Sequence, residues 1–105
     1  MNFAENLADL ESVDHLAGLE LLDEQGVVVA RIENKPGSQG SLKLYHHLAK
    51  KWGSINGEAA AEGLALYAEH TEDALAHPGK HPNIDLLVDR MLRRTSLSIK
   101  MLLAE

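Results

Sequence analysis

Six histidines in 105 residues make metal and acid–base chemistry the first question to ask of this chain. His70 and His77 are separated by about 10 Å along a helix axis, so one regular helix cannot bring both to a single ion. The adjacent His46 and His47 would point about 100° apart on a helix, which rules out that pair as well. His77 and His81 bracket a Pro78-Gly79 turn. With Asp85 just beyond, they form the one three-ligand set the spacing allows, if a metal is bound. The preferred reading is structural: His77 stabilises a helix end, His81 hydrogen-bonds the loop backbone, and neither a metal nor a cofactor is expected.

A second chemistry-bearing stretch is Lys35-Pro36-Gly37-Ser38-Gln39-Gly40-Ser41, a glycine-spaced loop that runs into a helix start. Free N–H groups at such a start hold phosphate or carboxylate. If an anion binds, it is expected to contact His77, Lys80 and His81 on the later loop and to reach Gly37, Ser38, Gly40, Ser41 and Lys43. The preferred reading is structural, with the glycines turning the chain and Ser41 capping the helix. No Gly-Lys-Ser/Thr follows, so the loop is not a Walker loop, and the spacing is not that of a dinucleotide fingerprint. No Gly-x-Ser-x-Gly elbow is present for a serine nucleophile. Cysteine is absent, which removes disulfides, thiolate nucleophiles and cysteine-bound zinc.

These loops need elements to position them. Asn2 and Glu5 have the spacing of a capping box for a short first helix. Ser12 to Ala17 reads as another turn, ended by Gly18 in the left-handed conformation. Residues 19–23 and 27–33 then read as strands joined at Glu24-Gln25-Gly26, the strongest hairpin signal in the chain. Alternation sets Val28, Ala30 and Ile32 on one face and Val27, Val29 and Arg31 on the other, so the second face is expected to be partly covered too.

Period-3.6 patterns predict helices over 42–52, 57–76 and 84–94, the last two capped by Asn56 and Asn83. Glu58, Glu62, Glu69 and Asp73 form an acidic stripe on the long helix, and Leu66 falls within it as a candidate contact. Leu97, Ile99, Met101 and Leu103 alternate with polar neighbours, which predicts a third strand over 97–103. The expectation is one α+β domain over 1–105, a small three-stranded sheet of early hairpin plus C-terminal strand packed against three to four helices.

Composition narrows the function classes. An apolar fraction of 45% with 25% charge is that of an ordinary globular domain. The net charge of -6 repels phosphodiester backbones and anionic membrane surfaces, and Phe3, Tyr45, Trp52 and Tyr67 are too scattered for base stacking. No nucleic-acid or membrane partner is expected. The first residues resemble no signal peptide, so the cytoplasm is the expected address.

Four segments, Asp14 to Leu19, Pro36 to Leu42, Glu62 to His70 and His77 to Asp85, together resemble a family of short bacterial proteins of unknown function over nearly the whole chain. The resemblance implies a bacterial, single-domain, cytosolic protein and brings no activity with it. The leading expectation is an interaction or regulatory module that self-associates as a homodimer, through a strand edge or the Leu66 surface, or binds a protein partner. The alternative is a small-ligand binder for an anion or metal, or a small enzyme, built on the 35–43 and 77–85 loops.

Overall fold

The computed structural model describes all 105 residues. The chain opens with the short helix α1 (Phe3–Ala8), where Asn2 and Glu5 form the reciprocal capping box. Strands β1 (Leu16–Leu22) and β2 (Val28–Glu33) make the expected hairpin. The Asp23 carboxylate accepts from the N–H groups of Gln25 and Val27, and Gly26 takes a φ of 81°. Such a φ favours glycine over any residue with a Cβ. The C-terminal strand β3 (Ser98–Leu103) pairs on the other side of β1, giving an antiparallel sheet in the order β2-β1-β3.

Period 2 decides the inner face. Leu19 lies opposite Ile32 and Met101, and Leu21 lies opposite Ala30 and Ile99. Glu20, Arg31 and Lys100 align on the outer face. Against the inner face packs α2 (Gln39–Trp52), which buries Leu42, Leu44, Tyr45 and Leu48. Helices α3 (Gly57–Tyr67), α4 (Glu69–Ala76) and α5 (Pro82–Arg93) complete the layer. Ile55 and Leu97 exchange two backbone hydrogen bonds, which ties the α2–α3 connection to the foot of β3. No helix is long and apolar enough to cross a membrane.

Four expectations change. Gly18 does not end a turn: it lies inside β1, buried, with a Cβ position only 2.4 Å from the Ile32 carbonyl oxygen. Glycine is needed there for close approach of two backbones, not for a left-handed φ. The second face of the hairpin is open rather than partly covered. The register slips between Leu21 and Leu22, so Val28 sits opposite Leu22 and both Val28 and Val29 are exposed. Third, α5 starts at Pro82 with His81 at its N-cap, so Asn83 is no cap, and its carbonyl instead accepts from the buried Tyr45 hydroxyl. Proline at the first helical position removes a donor that would have no partner anyway.

The fourth change is the largest. The expected helix over 57–76 breaks at Ala68, whose φ of 53° and ψ of -116° lie outside the helical region. Carbonyls freed by the break find other donors: Thr71 Oγ1 donates to the Leu64 oxygen at 2.6 Å and Asn6 Nδ2 to the Leu66 oxygen at 2.9 Å. Leu66 is therefore half-buried against the core instead of lying open on an acidic stripe. A non-glycine residue in such a conformation stores roughly 1–3 kcal/mol of strain, tolerable only where the surroundings enforce it.

Candidate ligand cavity

The two loops singled out by their composition meet. A cavity of about 440 Å³ is lined on one side by Gly37, Gln39, Gly40 and Ser41 and on the other by Lys80, His81, Pro82, Asn83 and Ile84. Its floor comes from Phe3, Tyr67 and His70. Helices α2 and α5 both present their N-termini here. The N–H groups of Gly40, Ser41 and Asn83 have no intramolecular acceptor, since the first backbone bonds of these helices begin at Leu42 and Ile84. Unpaired donors at the positive end of a helix dipole attract negative charge.

The break at Ala68 turns α4 so that His70 reaches this cavity. Its ring stands edge-on to Phe3, with centroids 5.0 Å apart, and 5.8 Å from the ring of His81. Phe3 stacks on Tyr67, whose hydroxyl donates to Ser41 Oγ at 2.6 Å. With one lone pair occupied by that bond, the Ser41 hydroxyl still has its own proton to offer. Burial pushes the Tyr67 pKa up to about 12, so the phenol stays a donor.

Behind the cavity stands Asp73. His81 Nε2 lies 2.6 Å and Lys80 Nζ 2.9 Å from its Oδ2, and His77 Nδ1 lies 3.2 Å from its Oδ1. Hydrogen bonds from His81 and Lys80 hold the Asp73 carboxyl well below the usual range. His77 thus lies outside the cavity, an exposed side chain that bonds Asp73. Asp85 does not join the histidines: its carboxylate accepts from the Gly79 N–H at 3.0 Å. No three histidine, aspartate or glutamate side chains are gathered to hold a metal ion.

A family model described as an uncharacterized protein conserved in bacteria matches residues 3–101. The chain belongs to this family, DUF2322. No curated protein and no solved structure matches it.

In this DUF2322 member, two further residues expected at the anion site fall elsewhere. Lys43 is not among the lining residues, because one helical turn carries its side chain away from the α2 N-terminus. Ser38 holds the N-cap position of α2, but its hydroxyl donates to the Glu33 carbonyl at 2.6 Å and fastens the loop to β2. Phe3, Tyr67 and His70 join a site that loop composition alone did not include, since all three come from helical segments.

A separate polar cluster joins α2 to α3. Glu62 accepts from Trp52 Nε1 at 3.2 Å and lies 2.6 Å from Lys51 Nζ, with His47 Nε2 on its other oxygen. Burial raises the Glu62 pKa, but the hydrogen bonds from Lys51 and His47 outweigh it and leave the carboxyl below its ordinary value. Every oxygen of that carboxylate is occupied, which marks a structural clasp between two helices.

Proposed function

We propose that this protein binds a small anionic ligand, with phosphate as the best-matched group, in the cavity between the α2 and α5 N-termini. One observation carries the reading. In a chain with 16 acidic residues, none of the 12 residues lining this cavity is acidic, while Lys80, two imidazoles and two helix N-termini face it. A volume of about 440 Å³ lies within the range of small-molecule pockets and exceeds what a bare ion fills. The apolar floor of Phe3 and Tyr67 leaves room for an organic group beyond the anion. Strain at Ala68, one residue from Tyr67 and two from His70, is the kind of local cost found at ligand sites.

Titration with inorganic phosphate, followed by amide chemical shifts, tests this directly. Shifts are expected at Gly40, Ser41 and Asn83. Lys80→Ala should weaken binding about tenfold, the effect of losing one charge-assisted hydrogen bond. Lys43→Ala should leave it unchanged. No shift at those amides with millimolar phosphate, or equal loss in the two variants, would remove the proposal.

A second reading, self-association, is favoured by the sheet. Both β2 and β3 are edge strands, and Val28 and Val29 are exposed on one of them. Unpaired edges of this kind template pairing with a second copy. The expected result is a dimer mass by light scattering at high micromolar protein. A Val29→Lys substitution on the edge should return the monomer, and a monomer mass in the unaltered protein excludes this reading without touching the first.

A further inference from the structure

Arg90, Arg93 and Arg94 have no carboxylate within 4.0 Å, although carboxylates outnumber cations in this chain. The α5 C-terminal dipole accounts for the exposed Arg93 and Arg94. Arg90 also stands in the last turn, but the dipole supplies no acceptor for its buried Nε, which makes no hydrogen bond. A buried guanidinium N–H left without an acceptor is unfavourable unless something arrives to pair with it.

Beside it lies a cavity of about 270 Å³. Arg90, Arg93 and Thr95 supply its donors, and Val29, Leu86 and Leu97 supply apolar wall. Asp23 and Glu24 also line it, yet neither pairs with an arginine, and Asp23 is held by the hairpin turn through the N–H groups of Gln25 and Val27. The Arg90 Nη groups make no hydrogen bond and are not fully buried. Each guanidinium is a planar fork that matches a carboxylate, and the aliphatic wall matches a short branched stem.

We propose that this cavity binds a carboxylate carried on an aliphatic stem. It is separate from the first site, centred on Arg90, about 12 Å along the α5 axis from Pro82. The same chemistry arises from a free branched-chain acid or from a polypeptide ending in a leucine-like residue. Three probes separate these sources: isovalerate, a short peptide ending in leucine, and the same peptide amidated at its C-terminus.

Amide shifts at Val29, Leu86 and Thr95 with isovalerate or with the free-acid peptide support the proposal, and the responding probe identifies the source. The amidated peptide should produce none. Arg90→Met should weaken binding about tenfold or more, while leaving the free protein at least as thermally stable and the Gly40 and Ser41 response to phosphate intact. Arg93→Gln, at an exposed position, should weaken carboxylate binding without affecting folding and serves if Arg90→Met fails to fold. Equal binding of the amidated peptide, an unchanged affinity in Arg93→Gln, or no response to either carboxylate at millimolar concentration overturns it.

Discussion

Raising the pH through 10 should leave both tyrosines protonated, and further alkalinisation should ionise them only as the protein unfolds. Tyr45 and Tyr67 are the only tyrosines in the chain, and both are buried in the core. Burial raises the Tyr67 pKa from 10.0 to about 12 and the Tyr45 pKa well above 10.0. A raised folded-state pKa contributes stability that is whole below the unfolded value near 10 and disappears as pH climbs through the folded value. For Tyr67 the two-unit gap corresponds to about 3 kcal/mol, a large share of a small domain's total stability. Tyrosinate absorbance and far-ultraviolet circular dichroism should therefore change together, beyond pH 11. Tyr67→Phe should move the transition upward while weakening the native state slightly, since Ser41 loses its donor. Tyrosinate forming near pH 10 with the circular dichroism unchanged would contradict the buried placement of both rings.

Gly18→Ala should be among the most damaging single substitutions. Its Cβ would lie 2.4 Å from the Ile32 oxygen and 3.2 Å from the Glu33 Cα, both backbone atoms that cannot swing aside. The clash falls in the central strand, between β2 and β3, so relieving it must separate the sheet on at least one side. Overpacking of this kind costs about 3 kcal/mol or more, or a fall of roughly 12–24 °C in Tm for a domain of this size. Gly57→Ala is the matched control. Nothing lies within 4 Å of its Cβ position and the residue opens a helix, so alanine should be neutral or slightly stabilising. Equal melting temperatures for the two variants would mean the strands are not packed as described.

Glycine also illustrates what can and cannot be read from the chain. At Gly26 the neighbouring residues specify a turn, so the reason for glycine is local and legible. At Gly18 the reason is a carbonyl on another strand, and a local reading substitutes a turn for a close approach. The hairpin, the C-terminal strand and α5 follow from periodicity for the same reason as Gly26, because each pattern is contained in its own segment. Ala68 carries no local signal at all: alanine is the best helix former, and the donors that take up the freed carbonyls, Asn6 and Thr71, are not marked by the helical period.

The candidate cavity divides along the same line. Proline and glycine mark both loops, so Gly37, Gly40, Ser41, Lys80 and His81 could be named in advance. Phe3 and His70 could not, because the first depends on how α1 docks and the second on the turn at Ala68. Lys43 and His77 do not line the cavity, because proximity along the chain is not proximity in space. Asp73 read as one member of a solvated stripe, when it is the point on which His77, Lys80 and His81 converge.

That convergence makes Asp73 a resident competitor. If the cavity binds an anion as proposed, that anion must win Lys80 and His81 from a carboxylate that already holds both at hydrogen-bonding distance. The affinity of the cavity is then a difference between two interactions of the same kind, and a ligand offering no more than a single carboxylate gains little by the exchange. Under the proposed function, a doubly charged phosphate offers more charge and more acceptor oxygens than the aspartate it would displace, and the internal carboxylate would set a threshold against weaker anions.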